Sequence, residues 1–463
     1  MATYKRMPEP RTITEAAELI RRGEITPIDL LEQCLARIDR YEAKVRAWVL
    51  VDRDGASEQA ERLTAELKAG QNRGPLHGIP IAIKDIIDVF DLPTGCGSKL
   101  WANSIARKDA TVVTRLRQAG AIIMGKTVTT AYASFDPPVT RNPWNLERTP
   151  GGSSSGSAAA VACGMCFGAL ATQTGGSITR PAAYCGVYSI KPTYNRVSLE
   201  GVLGLAPSMD HMGCMANSVR DLALIYEVIS GPHSPYESGF VRHIPVQDCL
   251  VDWGIVNDEL RRKPMKPDFA FLGGMFKDRA DSTCREAIAG AADVLHDSGG
   301  WCWDVALPAG FAEVTKMHHT IMAVEAATLH AERMQRHPDD YPPRIRGLIE
   351  QGLSHTAVEY RAARLSRDQL DEEIEAIINK SRFLACPATP SVAPPADTTG
   401  DPLFNAPWSF TGHPTVSLPI GFSPDGLPIE LQLVGGDDEE ANLLSAAAFC
   451  EHTLGFEPRP LPL

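Results

Sequence analysis

Ile79-Pro-Ile-Ala-Ile-Lys-Asp-Ile-Ile-Asp88 decides the fold. It is a short, nearly continuous apolar run that follows the breakers Gly74-Pro75. A strand with one wet face would alternate, so an unbroken run predicts a strand covered on both faces. Downstream, residues 109–119 have helical spacing and residues 121–125 form a second apolar run. A helix between two buried strands predicts an α/β fold with helices layered on a sheet. Upstream, the chain reads as helices through about residue 50. Thr12 and Glu15 have capping-box spacing, and Gly23 closes that helix. Thr26-Pro27 opens another, with Thr as N-cap and Pro in the first turn. Leu30, Leu31, Cys34, Leu35 and Ile38 give it an apolar stripe. Residues 57–68 are a further amphipathic segment.

Beyond this core, residues 136–157 are rich in Pro, Gly, Ser and Asn, and the chain turns apolar at Ala158. The apolar part reads as a packed helix. Residues from about 230 to 267 read as a polar linker or surface excursion. Strands are expected near 269–272 and 303–307, around a helix at about 280–297. Helices follow near 310–335 and 356–380, then a strand at 383–388. A Gly- and Pro-punctuated tail runs from 410 to 436. No fixed-period repeat or heptad pattern is present.

Composition narrows the function. The chain has 463 residues, 45 Lys+Arg against 57 Asp+Glu, a net charge of −12 and 44% hydrophobic residues. An acidic chain lacks the clustered cations of a nucleic-acid surface. The longest weakly polar run, 158–174, is too short to span a bilayer comfortably. The start, Met1-Ala-Thr-Tyr-Lys-Arg6, has no signal-peptide core. Eleven scattered cysteines predict reduced thiols and a cytoplasmic location. A chain this long needs no metal or disulfide staple.

Three segments can carry chemistry. Lys84 sits inside the apolar strand, where its charge loses hydration. It either snorkels or pairs with Asp85 or Asp88, or burial leaves a neutral amine able to act as a base. Gly151-Gly-Ser-Ser-Ser-Gly-Ser157 has linker composition yet runs straight into an apolar helix. It also contains a formal G-x-S-x-G centred on Ser154. No strand precedes that motif, so it is not read as a nucleophile elbow. In Thr172-Gln-Thr-Gly-Gly-Ser-Ile-Thr-Arg-Pro181, the two glycines let N–H groups converge beside a serine, as in an oxyanion hole. Cys163-x-x-Cys166 has no second pair and reads as packing; His211 fits no metal spacing.

In this order the segments resemble the amidase signature family. Ser153 and Ser177 stand 24 residues apart, the family's spacing. Gly78-Ile-Pro-Ile-Ala-Ile-Lys-Asp85, Gly125-Lys-Thr127, Tyr184-Cys-Gly-Val187, Lys191-Pro192, Ser208-Met-Asp210, Pro414-Thr-Val-Ser-Leu-Pro419 and Gly426-Leu-Pro428 look like family landmarks. The resemblance covers about residues 10–445. It implies one α/β/α domain over 1–463: N-terminal helices to residue 70, a signature core over 71–225, a helix-rich specificity region over 226–382 and a C-terminal return to the core over 383–463. It also implies a Ser–cis-Ser–Lys triad, with Ser177 as nucleophile, Ser153 as bridge after a cis peptide bond and Lys84 as base. The N–H groups of Thr174, Gly175 and Gly176 would form the oxyanion hole, and Arg180, Ser154 and Gln173 would face the substrate. No metal or cofactor is implied.

The chain departs from the family's common Thr-Asp-Thr-Gly-Gly-Ser-Ile-Arg. Gln173 replaces the aspartate, and the arginine comes one place later, at Arg180. That arrangement is similar to malonamidases and related small-amide hydrolases, where this arginine contacts a substrate carboxylate. The alternative is that Arg180 pairs with a protein carboxylate and braces the loop. Glu430 stands where members often carry glycine, a change with no account at the sequence level. The expected function is hydrolysis of a small-molecule amide through an acyl-enzyme. A carbamate or ester would offer Ser177 the same carbonyl. The other readings are an amidase-like subunit of a tRNA-dependent amidotransferase and a catalytically dead binding protein. Members often form homodimers, and no interface, membrane contact or nucleic-acid surface is legible here.

Overall fold

The structure, a computed structural model, describes residues 8–231 and 267–463. Eleven strands form one mixed sheet: β1 (Trp48–Val51), β2 (Pro80–Lys84), β3 (Ile122–Thr127), β4 (Gly168–Gln173), β5 (Tyr188–Lys191), β6 (His211–Ala216), β7 (Asp268–Leu272), β8 (Trp301–Val305), β9 (Phe383–Pro387), β10 (Thr415–Phe422) and β11 (Pro428–Val434). Their order across the sheet is β1-β3-β2-β4-β6-β5-β10-β11-β9-β7-β8. β2 lies between β3 and β4 and is parallel to both. Its five residues are all buried, as the unbroken apolar run requires. Ile81 and Ile83 are 0% exposed, and each such burial contributes about 1.5–3 kcal/mol.

Helices cover this sheet. The capping box at Thr12–Glu15 forms, and the helix it opens, Ile13–Arg21, docks on Asp221, whose carboxylate accepts from the Ile13 and Thr14 N–H groups at 2.9 and 3.1 Å. Pro27–Val45 begins at Thr26 with proline at its first position, as predicted. The helix Val314–Arg336 packs against both Pro343–Ser354 and Ala357–Ser381. We call the first two the helical cap.

The cap is clasped to the core by two carboxylates pointing in opposite directions. Asp340, in the turn Pro338–Asp340, accepts from Ser98 Oγ at 2.6 Å, the Lys99 and Leu100 N–H groups at 3.0 and 3.1 Å, and the Tyr132 hydroxyl. Asp136, on the core, accepts from the Arg344 and Ile345 N–H groups, each at 3.1 Å, and so satisfies the open start of Pro343–Ser354. Tyr132 stacks on Tyr341 with centroids 4.5 Å apart. Tyr132 has a φ of 52°, a left-handed conformation that non-glycine residues rarely take unless their side chains are held.

The sequence reading needs four corrections. The apolar stretch after Ala158 is not one helix: Ser155–Ala162 is helical, and β4 follows after Gly164 (φ 64°) breaks it. In its Gly-Ala-Leu-Ala-Thr-Gln composition only Thr172 is β-branched, a weak strand signal. β1 ends the region expected to be all helix, as an edge strand antiparallel to β3. The tail over 410–436 contains β10 and β11, a hairpin inside the sheet, whose apolar residues are interrupted by Pro419 and Gly421 at a register shift. β8 begins at Trp301, two residues before the expected start at 303. The expected linker over about 230–267 falls almost wholly outside the described residues.

Glu430 lies in β11 and is 2% exposed. Burial pushes its carboxyl well above the ordinary range, and the Ser417 hydroxyl offsets this only in part. The folded chain therefore holds this proton to a higher pH than the unfolded chain does. Stability falls as pH rises from the unfolded carboxyl value of about 4.3 through the raised folded one. Glu430→Gln is expected to flatten that decline, read by urea denaturation across about pH 5–8. An unchanged slope would mean that Glu430 is ionised in the fold.

Candidate active site

Lys84 ends β2, and the register that sets Ile83 beside Leu170 carries Lys84 alongside the end of β4. The carboxyl ends of adjacent parallel strands are the usual place for a site in such a sheet. Lys84 is 0% exposed; its Nζ lies 2.8 Å from Ser153 Oγ and 2.7 Å from Thr172 Oγ1. Among the described residues no carboxylate stands within ion-pair distance of it. Asp85, the expected partner, instead pairs with buried Lys126 at 3.0 Å. Burial pushes the Lys84 ammonium well below the ordinary lysine value, and the negative charge of Asp210 opposes that shift. Desolvation wins, which shifts the balance towards the free amine.

Ser153 follows a cis peptide bond with Gly152. Its carbonyl accepts from the Thr130 N–H at 3.3 Å, two residues from Tyr132 of the clasp. Gly151 has a φ of 81°, and a Cβ there would stand 2.7 Å from Pro181 Cα, so the serine loop passes directly against the start of the helix after Ser177. Ser154, expected at the substrate, is bonded to the backbone of β4. Its Oγ donates to the Thr172 carbonyl at 3.2 Å and accepts from the Thr172 N–H at 3.3 Å, tying the loop to β4.

Ser177 lies on the loop between β4 and the helix Thr179–Cys185 and is 7% exposed. Here it is hydrogen-bonded to neither Lys84 nor Ser153, and catalytic contacts often tighten only with substrate present. Gln173 is spent on shaping this loop. Its Oε1 accepts from the Ile178 and Thr179 N–H groups at 2.9 and 3.1 Å, and its Nε2 donates to Ser409 at 3.1 Å. Expected to contact substrate, Gln173 has these bonds bracing the turn that carries Ser177. Among the described residues none accepts a hydrogen bond from the N–H groups of Thr174, Gly175 or Gly176. The Thr174 hydroxyl donates to Asp210, and the Thr174 carbonyl accepts from His318 Nε2 at 2.9 Å.

Arg180 is 1% exposed and makes no ion pair with any described carboxylate. Its Nη2 donates to the Gly152 carbonyl at 2.8 Å and Thr399 Oγ1 at 3.3 Å, while Nε and Nη1 have no partner. Burial lowers its pKa to about 10, so it remains a cation at neutral pH. A Cβ on Gly176 would stand 3.2 Å from Arg180 Nη1 and 2.9 Å from Asn405 Oδ1, so the guanidinium lies against the residue preceding Ser177.

The sequence reading missed Thr172, Asp210, His318 and Asn405 as neighbours of the site. Asp210 lay in a quoted landmark and Thr172 headed the quoted Thr172–Pro181 segment; His318 and Asn405 carried no motif. His211 is a structural histidine, with Nδ1 2.6 Å from the Met209 carbonyl. Cys163 and Cys166 are buried and unpaired. Among the described residues one group has metal-ligand proximity, Glu375, His413 and Asp437, with donor atoms within 4.8 Å of one another. It shares no residue with the serine loops, and His413 Nε2 already pairs with Glu375 at 3.1 Å. Among the described residues no helix is long and apolar enough to cross a membrane.

A family model described as Amidase matches residues 29–444. The chain is 36% identical to a glutamyl-tRNA(Gln) amidotransferase subunit from Roseiflexus sp. (strain RS-1), over 94% of each chain. It is 33% identical to the Putative amidase AmiD of Mycobacterium tuberculosis (strain ATCC 25618 / H37Rv), over 97% of this chain and 96% of that one. Among solved structures, 6-aminohexanoate cyclic dimer hydrolase superposes with a TM-score of 0.86 at 26% identity, covering 98% of this chain and 99% of that one. The peptide amidase of Stenotrophomonas maltophilia gives 0.84 at 26% identity over the same shares.

The close approach at Gly151 generates a prediction. Gly151→Ala adds a Cβ against backbone at a φ that alanine disfavours, at a cost of about 1–3 kcal/mol. Calorimetry is expected to show a melting midpoint lowered by a few degrees. An unchanged midpoint would mean that the loop shifts freely.

Proposed function

The chain belongs to the amidase family, whose members hydrolyse amide C–N bonds, and we propose that its substrate is a small amide whose acyl part carries a carboxylate. The observation that carries the catalytic part of this reading is the buried amine of Lys84, 2.8 Å from Ser153 Oγ with no counter-ion among the described residues. A free amine there can accept the Ser153 proton while Ser153 accepts the proton of Ser177. Ser177 Oγ then bonds to the carbonyl carbon. The negative charge that develops on oxygen falls to the N–H groups of Thr174, Gly175 and Gly176. Collapse breaks the C–N bond, and Ser153 returns a proton to the leaving nitrogen. Water, deprotonated along the same route, cleaves the acyl-enzyme to carboxylate and restores Ser177.

Arg180 supports the acidic substrate. A buried guanidinium with two unpaired nitrogens beside the nucleophile loop suits a carboxylate, which can take both bonds in one plane. The rival role, pairing with a protein carboxylate, has no partner among the described residues. Carbamates and esters offer Ser177 the same carbonyl and stand as the alternative substrates. The 36% identity to an amidotransferase component favours a second reading, activity only within a complex. Gln173, the shifted Arg180 and the net charge of −12 weigh against it. Size-exclusion chromatography with an assay of the isolated chain separates the two, since one component of a complex would be inert alone.

The test is product release from a malonamate-type acidic amide, neutral aliphatic and aryl amides, an aryl carbamate and an aryl ester. Ser177→Ala and Lys84→Ala are expected to lose at least about 10³-fold in kcat on every turned-over substrate. Retained activity in either would overturn the triad. Arg180→Ala is expected to lose roughly ten- to hundredfold in kcat/KM on the acidic amide and little on neutral ones. Equal losses would make Arg180 a brace. Because Lys84 acts as the free amine, kcat/KM should rise with pH through its folded pKa and then level. Asp210 holds that pKa up, so Asp210→Asn should move the rise to lower pH; an unmoved limb would assign it to another group.

A further inference from the structure

We propose that His318, on the helical cap, is a positioning residue for the oxyanion hole, acting through the Thr174–Gly175 peptide. The inference rests on the reading of Gly175 N–H as an oxyanion donor. His318 is 4% exposed, and its Nε2 lies 2.9 Å from the Thr174 carbonyl oxygen. A carbonyl only accepts, so Nε2 carries the proton of this bond. In a planar trans peptide the C=O and the following N–H point in opposite directions. Holding the Thr174 oxygen towards the cap therefore aims the Gly175 N–H away from it, to the side where the loop's N–H groups stand open.

The ring also limits the loop's freedom by contact. A Cβ on Gly175 would stand 3.2 Å from His318 Cε1, so the imidazole lies against the Gly175 Cα. On its other side Thr174 is held by its hydroxyl, which donates to Asp210, itself fixed by the Leu205 and Ala206 N–H groups. The peptide is thus gripped at its carbonyl by the cap and at its side chain by the core. Burial lowers the pKa of His318 to about 4, and the bond to Thr174 opposes that shift, so the ring is neutral across the working range. The charged groups nearby do not enter the argument, because the same Nε2–H bond exists in either protonation state.

The bond matters for the transition state rather than for ground-state binding. A donor already aimed at the developing charge needs no reorganisation as the charge forms, and loss of one such donor costs about 10²–10³-fold in kcat. Loss of its aim should cost less. His318→Leu is expected to lower kcat about ten- to hundredfold with KM little changed, on the panel amide turned over fastest. Binding of a trifluoromethyl ketone analogue of that amide, which forms an oxyanion adduct with a serine, should weaken by the same factor. Binding of the product carboxylate should stay within twofold. His318→Gln, whose Nε2 can reach the same carbonyl, should recover most of the loss, and this variant also controls for folding.

A His318→Leu enzyme with unchanged kcat, or with ketone and product binding weakened equally, would overturn the inference while leaving the triad intact. No recovery in a folded His318→Gln would also overturn it. Full activity in Ser177→Ala would instead remove the reading on which it rests.

Discussion

A lysine amine placed out of reach of water and of any described carboxylate is a constraint that the surrounding structure must meet. The strand that carries Lys84 has to be covered on both faces, so it lies inside the sheet, between two parallel neighbours. Its nitrogen still needs hydrogen-bond partners, and the ones supplied are hydroxyls, Ser153 and Thr172, rather than charges. Thr172 comes from the adjacent parallel strand. Ser153 comes from a glycine-rich loop that only closes if Gly151 passes against Pro181. One desolvated amine thus accounts for the strand order, the loop composition and the approach of the two serine-bearing segments.

Lysine burial is managed differently at each of three sites in this protein. Lys126 has an acid at 3.0 Å. Lys191 rests on the Pro192 and Gly412 carbonyls, and burial brings its pKa to about 7. Lys84 alone among the three meets side-chain hydroxyls with no acid beside them. A paired lysine has its charge met by the acid, whereas burial pushes the Lys84 ammonium, resting on hydroxyls, down towards the free amine.

The fold class was legible because the apolar run that opens at Ile79 holds an interior strand, Pro80–Lys84, and the N-terminal helices carry their caps in the sequence. The motif residues were legible because Lys84 and the two serines sit in short segments of unusual composition. What escaped reading has a common cause. β4 is half Gly and Ala and owes its state to neighbouring strands rather than to local preference, while Pro419 and Gly421 break the apolar pattern of the β10–β11 hairpin. Ser154 and Gln173 face inward to backbone groups, which no spacing rule reveals. His318 and Asn405 come from distant segments and meet the nucleophile loop only through the fold. Glu430, unexplained as a residue type, becomes a buried acid whose carboxyl is pushed well above its ordinary range once β11 is seen inside the sheet.

The cap is fixed to the core along its whole length, with Glu325 holding Ser208 and His330 at the Gly204 carbonyl between its two ends. His318 docks on the nucleophile loop, while Asp340 and Tyr341 dock on Ser98–Leu100 and Tyr132. A rod pinned at both ends has no hinge. The span from 318 to 341 is a truss rather than a door, so what reaches Ser177 is governed by side-chain bulk rather than by a swing of this span. Changing what such an enzyme admits then means trading volume on exposed rungs while the pinned ends stay as they are.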